Sequence, residues 1–460
     1  MIHSLLTTDN PHNSTESLRQ WIEQRNREVQ VDVQLIPFSE MTGWYVDQDG
    51  SLRHNSGRFF TIQGIHVETD YGHTRVWDQP IINQPEIGYL GILTKVIDGT
   101  LYFLMQAKIE PGNVNCVQIS PTLQATKSNY TQVHKGKKPA YLDYFVNVKP
   151  DHVLLDQLQS EQGARFLRKR NRNIIILVDE EVEVLPDFRW MTLGQIKSFM
   201  HYDNIVNMDT RTVLSGIDYI DYITPLTNLD NLSDFGRDIL KSAHTQEGIH
   251  NMQQILSWLS GLKSRYDLFV SNKPIDKLEG WHRSETEIAN NDGKYFRVIG
   301  VKVCISNREV TSWCQPLVQP LQQGLCAFIV RKIGGIYHFL VQAKLECGNY
   351  DVIELAPTVQ CLTGNVFEVD KDLMPPFVDY VLNAPKEQVL YDVLQSEEGG
   401  RFFREQNRNM IVEAGKDLPQ QLPEHYTWMT LHQINHFLKF NNYLNIQARS
   451  ILSAIKYNEK

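Results

Sequence analysis

The stretch LMQAKIEPGNVNCVQISPTLQATKSNYTQVHKG, residues 104–136, decides how this chain of 460 residues is interpreted. Between short apolar alternations it places many polar side chains: Lys108, Glu110, Asn113, Asn115, Gln118, Ser128, Asn129, Tyr130 and His134. A scaffold alone does not need so many donors, acceptors and titratable groups in one segment. A weaker copy returns as LVQAKLECGNYDVIELAPTVQCLTGNVFEVDK, residues 340–371. The stretch therefore indicates both an internal repeat and a chemical site.

Matched landmarks place the two copies at one offset of 236 residues. The pairs are Trp77 with Trp313, Gln79-Pro80 with Gln315-Pro316, Lys108 with Lys344, Glu161 with Glu397, and Asn171-Arg172-Asn173 with Asn407-Arg408-Asn409. Chance does not produce such agreement over so long a span, and two copies are too few for a solenoid. We predict an α+β fold, a tandem duplication of a mixed-sheet domain flanked by helices. The expected parts are a flexible tail at 1–13, repeat 1 at 14–225, a linker at 226–249 and repeat 2 at 250–456.

Capping and turn signals predict the main elements of each copy. A helix should start near Asn13 and bury a stripe formed by Leu18, Trp21 and Ile22. Asp98-Gly99 lies between two apolar runs and is a favoured hairpin turn, and the second copy has Gly334-Gly335 at the same point. Residues 190–204 have the pattern of a helix capped by Thr192, with a counterpart at 428–442.

Two other segments carry further expectations. Residues 149–166, KPDHVLLDQLQSEQGARF, have apolar residues at helical spacing, so a helix is predicted there and in its copy at 387–402, followed by a strand at 173–178. Residues 54–69 are rich in aromatic and β-branched residues and contain Gly64. They predict a strand with a bulge or a close backbone approach at the glycine.

Composition and charge exclude several classes of protein. The net charge of -9 argues against generic nucleic-acid binding, which favours basic surfaces. The six cysteines form no C-x-x-C pair, so neither a zinc site nor a disulfide framework is indicated. The N-terminal residues lack the pattern of a signal peptide, and no stretch approaches the roughly 20 apolar residues of a membrane span. We expect a cytoplasmic protein without a membrane or nucleic-acid partner.

Known catalytic motifs are missing, and the remaining polar clusters have more than one interpretation. There is no P-loop, no G-x-G-x-x-G after a strand, no nucleophile elbow and no H-E-x-x-H. The basic run RFLRKRNRN, residues 165–173, is either a solvated strip or a clamp for a diphosphate. Glu161 is either a helix cap or a partner for the basic side chains of that run. Trp77 and Trp313 are either core residues or stacking surfaces for a nucleobase.

Residues unique to the first copy favour it as the better chemical site. The segment Lys127-Ser128-Asn129-Tyr130-Thr131 becomes Thr363-Gly364-Asn365-Val366-Phe367 in the second copy, and His134 becomes Asp370. Drift of two equivalent scaffolds should not strip one of them so selectively. His134 as a plain loop histidine and Tyr130 as a core tyrosine remain the alternatives.

Six motifs in order resemble one enzyme family. They are HNSGRFF (54–60), WDQPIINQPEIGYLG (77–91), LMQAKIEPGNVN (104–115), SPTLQATKSNYT (120–131) with His134, LQSEQG (158–163) and KRNRN (169–173). Together they resemble the NDP-4-keto-6-deoxyhexose 2,3-dehydratases over nearly the whole chain. The resemblance implies a carbon–oxygen lyase of deoxysugar pathways, built from two fused Nudix-like domains and assembled as a homodimer.

The Nudix metal site is degraded in both copies. The nearest matches to a Nudix box are DQLQSEQGA, residues 156–164, and DVLQSEEGG, residues 392–400. Each keeps the glycine and one acidic position, Glu161 or Glu397, but the leading Arg-Glu pair is absent. We therefore expect no catalytic metal and no cofactor.

The resemblance also implies a substrate, a TDP-linked 4-keto-6-deoxyhexose, and a set of site residues. The expected catalytic residues are Lys108, Glu110, Tyr130 and His134. Tyr130 or His134 would handle protons, and Lys108 would stabilise an enolate oxygen. The expected substrate-binding residues are His54, Ser56, Arg58, Trp77, Gln79, Asn113, Asn115, Lys127, Ser128, Glu161, Arg170, Arg172, Lys344, Asn349, Glu397 and Arg408. A Nudix-type hydrolase of nucleotide sugars and a non-catalytic nucleotide-sugar binding protein are the rival classes.

Overall fold

The strands of the described residues form four sheets, two of seven strands and two of five. The computed structural model describes residues 1–127, 138–307, 310–364 and 374–458. The strands of the leading copy are β1 Val31–Ile36, β2 Trp44–Val46, β3 Leu52–His54, β4 Thr61–Thr69, β5 Val76–Asn83, β6 Gly88–Ile97, β7 Thr100–Ile109, β8 Val117–Ser120, β9 Leu123–Ala125, β10 Val153–Ser160, β11 Arg170–Leu177 and β12 Phe188–Thr192. Those of the trailing copy are β13 Leu268–Asn272, β14 Trp281–Arg283, β15 Glu287–Asn290, β16 Phe296–Ile305, β17 Ser312–Pro320, β18 Gly324–Ile333, β19 Ile336–Lys344, β20 Glu354–Ala356, β21 Val359–Leu362, β22 Val389–Ser396, β23 Gln406–Glu413 and β24 Tyr426–Thr430.

Helices flank the sheets in both copies. The α-helices of the described residues are α1 Ile2–Leu6, α2 Thr15–Glu28, α3 Leu142–Val146, α4 Leu193–Phe199, α5 Met208–Ser215, α6 Asp234–His244, α7 Met252–Arg265, α8 Val378–Leu382, α9 Leu431–Leu438 and α10 Ile446–Ser453. Short 3-10 helices are Phe38–Glu40, Pro150–His152, Tyr219–Tyr222, Ile275–Lys277 and Lys386–Gln388. Two tandem halves of mixed α and β structure confirm the predicted α+β duplication.

The two seven-stranded sheets have the same topology. In the leading copy the order is β10-β11-β6-β7-β12, with β8 on β7 and β9 on β6, and the trailing copy repeats it as β22-β23-β18-β19-β24 with β20 and β21. Strands β11 and β6 are parallel, and all the other pairs of the leading sheet are antiparallel. Asp98 and Gly99 both have positive φ, at 48° and 77°, as the turn between β6 and β7 requires. The predicted hairpins are confirmed.

The two five-stranded sheets exchange their edge strands. Strand β1 of the leading copy pairs with β16 of the trailing copy, and β13 of the trailing copy pairs with β4 of the leading copy. Gly64 lies where an exchanged strand ends, and a Cβ on it would stand 2.3 Å from the backbone oxygen of Lys273. The close approach predicted at Gly64 is confirmed, and neither five-stranded sheet is complete without the other copy.

A pair of fully buried arginines also joins the copies. Arg211 on α5 donates from Nε to Ser450 Oγ at 2.8 Å and from its guanidinium to the backbone oxygen of Ser396 at 2.6 Å. Arg449 on α10 is its counterpart and donates from Nε to Thr212 Oγ1 at 2.9 Å. A buried charge is tolerated only when its hydrogen bonds are satisfied, and here each copy supplies acceptors to the arginine of the other.

The prediction of a helix over residues 149–166 is wrong. Residues 153–160 form strand β10, and the counterpart forms β22. Strand β10 pairs with β11 along its length, from Val153 opposite Ile176 to Ser160 opposite Arg170. A short apolar run fits both the helical and the strand period, and pairing with a neighbouring strand decided between them.

The expected tail and linker contain ordered helices instead. Helix α1 buries Ile2 and Leu5, and Ser4 Oγ accepts a hydrogen bond from the backbone N of Leu193 at 2.9 Å. Helix α6 lies in the expected linker, and there Ser242 Oγ accepts from the backbone N of Leu431 at 2.9 Å. The two short helices are therefore equivalent parts of the two copies, and their few apolar residues gave too weak a pattern to predict.

Other local predictions hold. Helix α2 begins after Ser14, whose side chain accepts from the backbone N of Ser17, and it buries Leu18, Trp21 and Ile22 as expected. Thr192 caps α4 in a capping box with Gln195.

Candidate functional site

A cavity of about 620 Å³ opens on the leading seven-stranded sheet and is closed by the trailing copy. The leading copy lines it with Thr42, Trp44, His54, Phe59, Phe60, Gln84, Gly88, Tyr89, Leu90, Gln106, Lys108, Glu110, Pro111, Thr122, Leu123, Gln124, Ala125, Thr126, Pro139, Ala140, Lys169, Asn171, Phe188 and Asp209. The trailing copy adds Lys302, Val310, Ser312, Trp313, Cys314, Gln315, Glu398, Gly400 and Arg401. The size is that of a pocket for a small molecule.

Lys108 and Glu110 lie at the end of β7, and both side chains are buried against the cavity. Alternate residues of a strand point to one face, so Gln106, Lys108 and Glu110 project together. Lys108 Nζ lies 3.8 Å from Glu110 Oε1, which also accepts a hydrogen bond from Gln124 Nε2 at 2.8 Å. Glu110 Oε2 has no hydrogen-bond partner among the described residues. A buried carboxylate oxygen without a partner fits a group that meets a ligand.

A tight backbone contact brings the trailing copy to this pair. The backbone N of Gly112 donates to the oxygen of Gly399 at 2.8 Å, and the backbone N of Arg404 donates to the oxygen of Gly112 at 2.7 Å. A Cβ on Gly112 would stand 1.6 Å from the backbone oxygen of Phe402, so only glycine fits. The contact places Glu398, the residue before Gly399, beside Glu110.

Lys169 and Asn171 reach the cavity from the start of β11 and the residue before it. Lys169 Nζ donates to the backbone oxygens of Glu86 and, at 3.2 Å, Arg170. Burial lowers the pKa of Lys169 to about 8, against the opposing effect of Glu161. For Glu161, burial raises the pKa. Its Oε1 accepts a hydrogen bond from Asn171 Nδ2 at 2.6 Å.

Two further carboxyl groups complete the ionisable set. Asp209 lies in the first turn of α5, and burial, followed by the charge of Glu398, raises its pKa well above the usual value. Burial also raises the pKa of Glu398, with the neighbouring Glu110 acting in the same direction and Arg401 against it. Both environments favour the protonated acid.

An aromatic wall forms part of the same cavity. His54 packs edge-on against Trp44, with ring centroids 5.4 Å apart. Trp313 of the trailing copy donates from Nε1 to Gln315 Oε1 at 2.7 Å. Flat apolar rings of this kind bind a nucleobase or a sugar face.

The structure brings three predicted site residues to the cavity: His54, Lys108 and Glu110. Ser128, Tyr130 and His134 lie outside the described residues. Trp77 and Gln79 do not line this cavity. Gln79 donates to the backbone oxygen of Ala164 at 3.0 Å, on the counterpart side of the molecule. Trp313 and Gln315, their copies, take their place because the five-stranded sheets are shared between the copies.

The predicted diphosphate clamp does not face the cavity. Arg172 forms two hydrogen bonds with Asp156, at 2.8 and 2.6 Å, and Arg408 forms the same pair with Asp392. Arg170 stacks over Tyr350 with 4.1 Å from its guanidinium carbon to the ring centroid. The run enters strand β11, where alternation turns residues 169 and 171 inward and the arginines outward.

Other predicted binding residues have structural contacts instead. Asn113 donates to the backbone oxygen of Cys116 at 2.7 Å, and Asn115 to that of Asp203 at 2.9 Å. Ser56, Arg58 and Lys127 are exposed and are not among the residues that line the cavity. Glu161 and the trailing residues also lie outside that lining: Lys344, Asn349 and Glu397.

Sequence reasoning missed Lys169, Asn171, Asp209, Glu398 and Arg401. The missed signal is a comparison of the copies, because Lys169 becomes Glu405 and Glu398 stands where the leading copy has Gln162. Among the described residues, no group of three or more His, Cys, Asp or Glu side chains is arranged to hold a metal ion. The expectation of a metal-free site stays a prediction.

Comparison with known proteins identifies the class. A family model for NDP-hexose 2,3-dehydratase matches residues 15–217 and again 252–455. The chain therefore belongs to the NDP-hexose 2,3-dehydratase family, which confirms the resemblance seen in its motifs.

Curated relatives are similar to this chain over nearly its full length. The dTDP-4-dehydro-6-deoxy-alpha-D-glucopyranose 2,3-dehydratase of Saccharopolyspora spinosa is 46% identical over 455 residues, 99% of this chain and 94% of the relative. Enzymes with the same name from Amycolatopsis orientalis and Streptomyces violaceoruber are 43% and 41% identical, over 98% and 96% of this chain and 92% and 97% of those relatives.

A solved structure, the Ap4A hydrolase of C. elegans, overlaps 26% of this chain and 87% of its own, at 15% identity and a TM-score of 0.17. That score is too low to carry an argument about the fold. Among the helices of the described residues, none is long and apolar enough to cross a membrane.

Proposed function

We propose that this protein removes water across C2 and C3 of dTDP-4-keto-6-deoxy-glucose, giving a 3,4-diketo-2,6-dideoxy sugar for deoxysugar biosynthesis. The observation that carries the proposal is the Lys108–Glu110 pair, buried against a cavity of about 620 Å³ in a chain of the NDP-hexose 2,3-dehydratase family. Glu110 Oε2, without a partner among the described residues, supports a role for this carboxylate in proton transfer.

The reaction needs a base, an acid and a stabiliser of negative charge. The base removes the C3 proton, and the electrons of that bond move to the C4 carbonyl oxygen. As the carbonyl re-forms, the C2–O bond breaks and the hydroxyl leaves as water with a proton from the acid. The enol at C3 then gives up its hydroxyl proton and gains one at C2. Water is the only loss, and no oxidant is required.

The cavity supports particular roles for its residues. Lys108 stabilises the enolate oxygen, and Glu110 takes the C3 proton. Arg401 and Lys169, which line the cavity, replace Arg170 and Arg172 as the cations for the diphosphate. Trp313 provides a surface for the base. Tyr130 and His134 stay predicted proton carriers.

The test is conversion of dTDP-4-keto-6-deoxy-glucose by purified protein after treatment with a chelator. We expect a product that is captured by a 3-ketoreductase or degrades to maltol-like compounds. Strict dependence on added magnesium together with release of phosphate would favour the Nudix-type hydrolase. Tight binding without turnover would favour the non-catalytic binding protein.

Two finer expectations belong to the same proposal. The resemblance implies a homodimer, which sedimentation would distinguish from a monomer. The six cysteines are free, which supports a reducing compartment such as the cytoplasm.

A further inference from the structure

The trailing copy places one carboxyl group in the leading cavity beside Glu110. Glu398 lines the cavity, and its residue is partly exposed. A Cβ built on Gly400 would stand 2.9 Å from Glu398 Oε1 and 3.2 Å from Glu110 Oε1. The two carboxyl groups therefore converge on one point, and a glycine leaves that point open.

The counterpart position in the other half lacks this arrangement. There Glu346 corresponds to Glu110, but Gln162 stands in place of Glu398 and Ala164 in place of Gly400. The backbone contact itself is conserved, since the N of Gly348 donates to the oxygen of Gly163 at 2.6 Å. The interface between copies therefore does not require a glutamate or a glycine at these positions. Glu398 and Gly400 therefore distinguish the lining of the leading cavity from the counterpart positions.

We propose that Glu398 is a catalytic acid contributed by the trailing copy, which protonates the departing C2 hydroxyl while Glu110 of the leading copy takes the C3 proton. This rests on the proposed dehydration. In each turnover Glu110 gains one proton and Glu398 loses one. Passage of that proton between the two neighbouring groups restores both.

The environments of the two groups support this division of labour. Glu110 lies 3.8 Å from Lys108 Nζ and accepts a hydrogen bond from Gln124, contacts that suit a base. Burial and the nearby Glu110 raise the pKa of Glu398, which favours a carboxylic acid. Two carboxyl groups in unlike surroundings divide into a base and an acid.

The test separates the two proton transfers. Substrate carrying deuterium at C3 is incubated in ordinary water, and loss of deuterium and loss of the C2 hydroxyl are measured for each variant. For Glu398→Gln we expect elimination to fall by about 10² to 10⁴-fold, while deuterium release stays within about tenfold of wild type. For Glu110→Gln both should fall together. Glu346→Gln, the matched control in the other half, should change both by less than about threefold.

Two results would overturn the assignment. One is Glu398→Gln with elimination within about threefold of wild type. The other is Glu398→Gln that loses deuterium release as completely as elimination, because an acid for C2 acts after C3 is deprotonated. Glu398→Asp keeps a proton donor, so it should retain more elimination activity than Glu398→Gln, and equal losses would also contradict the assignment. Thermal melting and dTDP affinity check that each variant is folded. Wild-type protein that forms no diketo sugar would refute the proposed dehydration itself, independently of Glu398.

Discussion

The leading cavity and its counterpart in the other half share a scaffold but differ in charge. Both keep a lysine, a glutamate and a glutamine at the strand ends, as Lys108, Glu110 and Gln124 or as Lys344, Glu346 and Gln360. In both, the glutamine donates to the glutamate at 2.8 Å. These three residues occur in both halves with the same contact. They therefore do not distinguish the halves, and only the residues that differ can do so.

The differences concentrate on groups that can ionise. Lys169, Asp209 and Glu398 correspond to Glu405, Gln447 and Gln162, with the matching caps Asn207 and Asn445 fixing the alignment of the helices that carry Asp209 and Gln447. His54 and Asn290 occupy the same pairing position, opposite Trp44 and Trp281. The counterpart loses the buried ammonium, and two acids become amides. The two copies thus share one fold, and under the proposed function the proton chemistry belongs to the leading half.

The largest expected effect comes from the cation that only the leading cavity has. Lys169→Met should lower kcat/KM by about 10² to 10³-fold, because it removes a buried positive charge that faces the substrate. With its pKa lowered to about 8, Lys169 loses its charge as the pH rises above that value. Wild-type kcat/KM should therefore decline above pH 8, and a pH profile of the variant should lack that decline.

The matched control for this change is Glu405→Gln in the other half. It should leave kcat/KM within about threefold of wild type, because Glu405 does not line the cavity. A comparable loss in both variants would show that Lys169 acts through the fold and not on the substrate.

The second prediction concerns stability and uses another asymmetric pair. Glu354 is fully buried and accepts from Ser160 Oγ at 2.8 Å, whereas its counterpart Gln118 accepts from Ser396 Oγ at 3.0 Å. Burial raises the pKa of Glu354 from 4.5 to about 7. A raised pKa in the folded state stabilises the protein below pH 4.5, and that stability is lost as the pH rises to 7.

Glu354→Gln should remove this pH dependence. Between pH 4.5 and 7 the free energy of unfolding of wild type should fall by about 3 kcal/mol relative to the variant. Denaturant titrations at several pH values measure the difference. A parallel pH dependence in the two proteins would show that Glu354 is ionised at neutral pH.

A smaller effect should follow from filling the space beside the two carboxyl groups. Gly400→Ala introduces the methyl group that Ala164 already carries in the other half, 2.9 Å from Glu398 Oε1. We expect kcat to fall about tenfold, which corresponds to about 1.4 kcal/mol, with little change in the melting temperature. Ala164→Gly should not alter kcat. Equal kcat values for Gly400→Ala and wild type would mean that the carboxyl groups do not need this space.

The smallest effect is expected at Arg172, which was predicted to bind the diphosphate, and at its counterpart Arg408. Arg172→Ala and Arg408→Ala each break a partly exposed pair with an aspartate, so each should cost less than about 1 kcal/mol of stability. KM should change by less than about threefold in both variants. A tenfold rise in KM for Arg172→Ala, without one for Arg408→Ala, would support the predicted diphosphate clamp.

The sequence predicted those parts of the fold that depend on neighbouring residues. The turn at Asp98-Gly99, the cap at Thr192 and the stripe of α2 all follow from local chemistry, and all are present. Strand β10 was predicted as a helix because its apolar residues fit either period. The site was affected by another difference: β11 begins at Arg170, before the predicted strand at 173–178, and it turns Lys169 and Asn171, not the arginines, toward the cavity.

The composite nature of the site could not be predicted from local patterns. The sequence of strand β1 would suit either five-stranded sheet. Whether β1 pairs with β4 of its own copy or with β16 of the other depends on the path of the connecting segments. With the exchange unknown, Trp77 and Gln79 were assigned to the cavity that Trp313 and Gln315 line. Lys108 and Glu110 were found because their segment is dense in polar groups whichever sheets pair.

The exchanged strands impose an order on synthesis. While the chain is still emerging from the ribosome, β4 has an open edge until residues 268–272 appear, more than half-way along the chain. An open edge invites pairing with any other extended segment, including that of a neighbouring nascent chain. Splitting the gene between the copies would leave both products with such an edge. In the fused chain, each copy supplies the strand that covers the open edge of the other.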